Sequence, residues 1–323
     1  ALLRIVKLLT PDQRNEISVE LVKGLEVGEY EFSKYIPRYL GEFALWLPPE
    51  QLDELIENLR ASLSSANERI VCGALDTLAV ILEYYGVYAS QFAEPSEENR
   101  RRADRLLGCL LGGLASHRVT VRQEALQLLG QLFASPRLSE AEKNRLFGLC
   151  FQKLLFFLDE NQPTILSLYY RAAALSHICR FISNYHVENG RLPVSIWNKV
   201  AFFPGTFDPF TLSHKGIVRA IRDMGYEVYL AIDEFSWSKN TQPHLVRRQI
   251  VSMSVADMFH VHLFPDEIPV NIANPSDLAR LKAVFPGREV YLVVGSDVIA
   301  GASAYTAPPR ENSVHNMNHI VFR

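Results

Sequence analysis

"FFPGTFDPFTLSHKG", Phe202 to Gly216, is the stretch on which the reading of this chain turns. An apolar run stops at Pro204-Gly205, an acidic turn containing Pro209 follows, and Thr211 and His214 stand three apart where a helical pattern opens. Gly205 suits a turn that a Cβ would crowd, and it lets a large ligand approach the main chain. Asp208 and Pro209 set a tight turn, Pro by fixing φ and Asp by bonding nearby amides. Thr211 and His214 share one face of the first helical turn, where free N–H groups and the helix dipole favour anions. A phosphate can meet amides, a hydroxyl and an imidazole there. Each residue also has a plainer role open to it: a turn for Gly205, a cap for Asp208, a fold-supporting position for His214.

Around this stretch the pattern alternates. "KVAFF" (199–203) is a short buried strand, "LSHKGIVRAIRDMG" a helix closed by Gly225, and "YEVYLAID" (226–233) the next strand. "PHLVRRQIVSMSVADM" is a helix, "HVHLF" a third strand, and "PSDLARLKAVFPG" a helix with Ser276 as candidate cap. "EVYLVVGSD" and "NHIVFR" are the fourth and fifth strands. Strands alternating with helices predict an α/β domain over 199–323 with a Rossmann-like, doubly wound parallel sheet. Ligands of such sheets bind beyond the carboxyl ends of the strands, and the opening stretch lies at that end of the first.

Residues 1–190 read differently, as helix after helix. "NERIVCGALDTLAVILEYYG" steps its apolar residues by three and four and stops at Gly86; "HRVTVRQEALQLLGQLFAS" repeats the design and ends at Ser135-Pro136. "SKYIPRYLGEFALWLPPEQLDELIENL" and "SLYYRAAALSHICRFISNY" look like further copies, with Ala74 aligned on Ala125 and Leu40 and Ala174 as partners. The pattern resembles HEAT or armadillo repeats, and an irregular bundle is the alternative. Asn189-Gly190 and Pro193 break the helical pattern, and residues 191–198 are the linker.

The totals are those of an ordinary globular protein. The chain has 323 residues, 48% hydrophobic and 21% charged, with a formal net charge of -3. Nothing in that balance selects nucleic acid or an anionic membrane as partner. Apolar runs such as "LLGCLLGGL" (106–114) are too short to span a bilayer, and no signal peptide is visible. A chain that begins "ALLRIVKLL", with no Met, reads as a fragment. Cys72, Cys109, Cys150 and Cys179 are widely spaced, with no metal or redox motif, and read as reduced core thiols of a cytoplasmic protein. The basic run "NRRRADR" (99–105) reads as a solvated helix face, an acidic protein partner being the alternative. His260 and His262 alternate on one strand face without a third metal ligand, and no metal site is assigned.

"GTFDPFTLSHKG" resembles the nucleotidyltransferase superfamily motif, Gly-x-Phe-Asp-Pro followed by His-or-Thr-x-Gly-His. Gly205, Phe207, Asp208, Pro209, Thr211 and His214 match; Ser213 stands in the usual Gly place. The resemblance runs over 199–323. It implies His214, Thr211 and Lys239 as catalytic residues, and Gly205, Thr206, Phe207, Asp208, Arg248, Gly295 and Asp297 as nucleotide- and phosphate-binding ones. Lys239 and Arg248, with Arg247 its competitor, follow the family's Lys-then-Arg arrangement, one a mobile point charge and the other a planar fork. "PGREVYLVVGSDVI" looks like the family's Gly-Ser/Ala-Asp element as it reads in nicotinate mononucleotide adenylyltransferases. For Ser296 and Asp297 a helix cap is the alternative. The implied activity is AMP transfer from ATP, with Mg²⁺, to nicotinate or nicotinamide mononucleotide. Cytidylyl transfer, a pantetheine-phosphate adenylyltransferase-like reaction and a degenerate nucleotide-binding module are alternatives. "NIANPSDLARL" departs from that branch's Ser-Tyr-Thr-x-Asp-Thr-Leu-like segment. The family's Ile-Ser-Ser-Thr-x-Ile-Arg-like element would follow "NHIVFR", so a domain truncated at its C-terminal end is expected.

Overall fold

A computed structural model of the chain describes its residues except 1, 28, 89–91, 93–95, 160–164, 191, 193–195 and 234–240, and omits side chains at 30, 96, 155–159 and 165–170. The chain divides into two compact units, Ala1–Val194 and Ser195–Arg323.

The first unit is helical among its described residues: α1 (Leu2–Ile5), α2 (Pro11–Val27), α3 (Tyr30–Ser33), α4 (Ile36–Ala44), α5 (Pro49–Ser62), α6 (Glu68–Tyr88), α7 (Ser96–Leu114), α8 (Val119–Ala134), α9 (Glu140–Asp159) and α10 (Ile165–Asn189). Residues 33–59 form more than one helix because Pro48-Pro49 cannot extend α4 and instead opens α5. Gly86 does not stop α6, which continues to Tyr88; a Cβ there would meet nothing within 4 Å, so the glycine costs only helix propensity. Helices α4, α6, α8 and α10 contact one another in series, while α7 contacts α6, α8 and α9. The four aligned positions Leu40, Ala74, Ala125 and Ala174 fall one on each helix of that series, and all are buried. Small residues set the spacing: a Cβ on Gly130 would come 3.1 Å from the Ala174 Cα.

Several sequence expectations change here. Cys109 and Cys150 are core thiols, but Cys72 is half-buried and Cys179 exposed, on the outward face of α10. The run 99–105 is not a solvated face throughout. Arg102 is only 4% exposed and forks onto both Asp53 carboxylate oxygens at 2.8 Å while donating to the Tyr85 hydroxyl. Among the described residues α6 is the one helix long and apolar enough to cross a membrane, and 56% of its apolar window is buried within the unit.

A carboxyl pair lies across the α6–α8 contact. Asp76 on α6 keeps a buried Oδ1 without a hydrogen-bond partner, beside Glu124 on α8. Burial first, and then the Glu124 charge, push the Asp76 carboxyl up to about 8. The folded state therefore holds a proton that the unfolded chain releases near 3.8, and stability contributed by this site is full below 3.8 and lost as pH rises through about 8. Asp76→Asn keeps the uncharged shape. It is expected to raise the melting temperature at mildly alkaline pH and to flatten its decline with pH; an unchanged slope would remove Asp76 as the cause.

The second unit is built on five parallel strands, β1 (Lys199–Gly205), β2 (Tyr226–Ile232), β3 (Val261–Leu263), β4 (Glu289–Gly295) and β5 (Asn318–Phe322), in the order β3-β2-β1-β4-β5. Helices α11 (Leu212–Asp223), α12 (His244–Val255), α13 (Pro275–Val284) and the short α14 (Ser296–Gly301) and α15 (Ser303–Thr306) connect them. The period of two in β1 sorts the core. Ala201 and Phe203 join Val218, Ile221, Val251 and Val255 of α11 and α12. Val200 and Phe202 join Leu278 and Leu281 of α13. Helices thus cover both faces, as a doubly wound sheet requires. The N-cap of α13 is Asn274, whose side chain accepts from the Ser276 N–H; Ser276, the sequence candidate, lies inside the helix because Pro275 takes its first position. Residues 197 and 198, expected in the linker, belong to this unit: Trp197 stacks on His260 at 3.8 Å, and the Asn198 carbonyl accepts from Glu289 N–H.

Candidate functional site

The strand order reverses at β1, whose neighbours are β2, reached through α11, and β4, reached only after β3 and α13. β1 pairs with β2 along its whole length to Gly205↔Ile232. With β4 it pairs only from Lys199↔Glu289 to Phe202↔Leu292, although β4 stays on β5 as far as Gly295↔Phe322. The sheet therefore opens between Phe203–Gly205 and Val293–Gly295. This is the crevice at the carboxyl ends where such sheets place ligands.

The loop after β1 is held at three points from the β2–α12 side. The Gly205 carbonyl accepts from Asp233 N–H at 3.0 Å. The Thr206 carbonyl accepts from Arg247 Nη1 at 2.7 Å. The Asp208 carboxylate accepts from Gln242 N–H at 2.8 Å. A trans peptide carries its N–H opposite its C=O. With the Gly205 carbonyl turned to β2, the Thr206 N–H faces the gap that β4 has left. With the Thr206 carbonyl turned to Arg247, the Phe207 N–H faces away from α12. Phe207 takes the left-handed φ of 47°, a rare conformation for an aromatic residue. Gly205 does not have a positive φ. Its reason for lacking a Cβ is close approach, because one would lie 3.0 Å from the Phe207 ring.

At the start of α11, Thr211 and His214 form a reciprocal cap. The Thr211 hydroxyl accepts from His214 N–H, and Thr211 N–H donates to His214 Nδ1 at 3.0 Å. A backbone N–H can only donate, so Nδ1 is the bare nitrogen and the neutral ring carries its proton on Nε2. The ring lies against Phe210 and meets Phe207 edge-on, each at 5.5 Å. Burial holds its basicity below the ordinary value of 6.5. Protonating Nδ1 would also break the cap. A depressed histidine stabilises the fold above the unfolded value, and that contribution is lost as pH falls below 6.5 and through the folded value. The melting temperatures of the native chain and His214→Ala are thus expected to converge as pH drops. A gap that stayed constant would contradict the bare Nδ1.

The other expected residues are distributed around the opening. Gly295 ends β4 and is buried; a Cβ on it would fall on Asp297 Oδ1. Asp297 is exposed, with no hydrogen-bond partner among the described residues, and the N-cap position of α14 is Gly295, so neither Ser296 nor Asp297 acts as a side-chain cap. Thr206 and Phe207 are in the loop itself. Arg248 points instead to the end of β3, donating to the Phe264 carbonyl at 3.3 Å and to Asp266 at 2.7 Å. Lys239 lies outside the described residues. Of the pair 247–248, the arginine joined to the loop is Arg247, 1% exposed. Its spacing with Val251 and Val255 places all three on the buried face of α12, a signal present in the sequence. Gln242 and Asp233 act through backbone groups and left no such trace.

The two histidines of "HVHLF" part company. His260 precedes β3 with φ 58° and stacks on Trp197, whereas His262 Nε2 lies 3.1 Å from Glu227. Burial pushes the Glu227 carboxyl up, but hydrogen bonds from His262 and Arg288 outweigh it and hold it below its usual range. This charged cluster sits where β2 and β4 begin, at the opposite end of the strands from the crevice.

No protein-family model matches this chain, and no curated protein matches it.

Proposed function

We propose that the second unit is a nucleotidyltransferase that transfers AMP from ATP to nicotinate or nicotinamide mononucleotide, in the cytoplasm, within NAD biosynthesis. The observation that carries this reading is the loop after β1 at the opening of the sheet, its Gly205 carbonyl turned to β2 so that the Thr206 N–H faces the gap, followed directly by the His214 cap of α11 with its bare Nδ1. In the reaction, an acceptor phosphate oxygen attacks the α-phosphorus of ATP, the bond to the bridging oxygen breaks, and pyrophosphate leaves with that electron pair. Mg²⁺ enters with ATP, as part of the substrate. The protein positions the phosphates and stabilises their charge; it forms no covalent bond to them. His214 donates to a phosphate oxygen, and the loop amides and Lys239 neutralise charge beside it. Gly205 and Gly295 let the nucleotide lie against the strand ends, with Asp297 accepting from ribose hydroxyls. The Thr211 hydroxyl acts chiefly by holding His214.

The first unit is a HEAT-type scaffold in this reading, which its serial helix contacts and the buried repeat positions Leu40, Ala74, Ala125 and Ala174 support. Its role is to bind a protein partner or to place the second unit. One observation favours a second reading, a nucleotide-binding module without turnover: Ser213, at the motif's usual Gly position, is exposed beside the crevice. Pyrophosphate release decides between them. ATP and CTP are each supplied with nicotinate mononucleotide, nicotinamide mononucleotide and phosphopantetheine. Release with ATP and either mononucleotide supports the proposal, release only with CTP or phosphopantetheine reassigns the substrate, and binding without release supports the module.

A further inference from the structure

We propose that Arg247 is the positioning residue of the phosphate corner, fixing which way the loop amides point. This rests on the nucleotidyltransferase reading for its ligand, though not for its geometry. Arg247 is the largest fully buried side chain among the described residues, at 1% exposure. Burying a guanidinium is costly unless its donors are used. Here they are used on main chain: Nη1 donates to the Thr206 carbonyl at 2.7 Å and Nε to the Gln242 carbonyl at 2.9 Å. The N–H of the same Gln242 donates to Asp208. The loop after β1 and the start of α12 thus close into a ring through Thr206, Arg247, Gln242 and Asp208. A planar fork spans two carbonyls in fixed directions, and a lysine cannot reproduce this.

The consequence is directional. Without a donor inside, the Thr206 carbonyl would seek water at the surface. The 206–207 peptide would then rotate, and its N–H would leave the anion. The left-handed Phe207 depends on the same constraint, because nothing in an aromatic side chain favours that conformation. Arg247 therefore acts on the ligand without touching it.

The test uses the full chain with Arg247→Gln and Arg247→Lys, Lys keeping the charge and losing the fork. Two readouts are taken: the affinity for Mg·ATP by calorimetry, and amide hydrogen exchange of peptides covering 205–210. Faster exchange in that loop with strands β1 and β2 still protected, and affinity reduced at least about tenfold for the loss of one charged hydrogen bond, is the expected result. Unchanged exchange in 205–210, or native affinity in a variant with loosened exchange, overturns the positioning role. If the native chain does not bind Mg·ATP, the nucleotide reading fails, and the exchange measurement alone decides the role of Arg247. If Arg247→Gln does not fold, Arg247→Lys is read in its place. If neither folds, Asp208→Ala, which cuts the exposed side of the ring, is expected to loosen the same peptides, and native exchange there overturns the proposal.

Discussion

Replacing His214 with Ala is expected to lower the rate of pyrophosphate release about a hundredfold, equivalent to about 3 kcal/mol of transition-state stabilisation. The geometry separates this from a folding effect. The ring is half-buried and partly solvated, so its removal leaves no closed cavity. Half of the α11 cap is lost, which costs about 1 kcal/mol, a few degrees in the melting temperature. The discriminating variant is His214→Gln. It can still donate from a side-chain nitrogen, but it lacks the ring that stacks on Phe210 and meets Phe207 edge-on. Glutamine is expected to recover part of the rate, and Ala none. A His214→Ala protein that turned over at the native rate would remove His214 from the chemistry.

Phe202→Ala is expected to destabilise the second unit by about 3–5 kcal/mol. Phe202 is 0% exposed, packs edge-on against Phe264 at 5.0 Å, and lies in the core beneath α13. It is also the last residue of β1 that pairs with β4. Collapse around the void would draw β1 and β4 together or let them slip, and either movement alters the crevice. Loss of nucleotide binding is therefore expected to accompany the loss of stability. Denaturant unfolding followed in the second unit measures the first effect. A loss below about 1 kcal/mol, the cost of a partly exposed side chain, would show that the strand is not the centre of its core.

The five strands were legible because each is a short buried run bounded by glycine, proline or a helical pattern, and such runs leave few alternatives once helices alternate with them. Which strands lie side by side was not legible, because the order β3-β2-β1-β4-β5 is set by long-range pairing that no single segment encodes. The opening between β1 and β4 was legible as a place, at the end of the first strand. The way its amides are aimed was not, because that depends on Arg247, Gln242 and Asp233, two of which act through main chain alone. Arg102 failed to declare itself for a similar reason: its partner Asp53 lies 49 residues earlier, and a run of charges resembles a solvated face until such a partner is found. Asn274 and Ser276 are both good caps by type; the proline between them decides, and the local rule was sufficient to choose Asn274. Cys179 and the half-buried Cys72 show that apolar neighbours in a helix do not fix which side of it a residue occupies.

Pro204 has a further consequence. Within β1, even-numbered residues direct their main-chain groups toward β4, as the Asn198 bond to Glu289 shows, and odd-numbered ones toward β2, as Gly205 does. Past Phe202 the β4 side of β1 is bare. A bare strand edge is a template on which another chain can add, and proteins guard such edges against aggregation. The one residue of that short edge whose N–H would have faced the gap is position 204, and proline has none to offer. Within β1 the opening therefore offers an incoming strand no N–H donor.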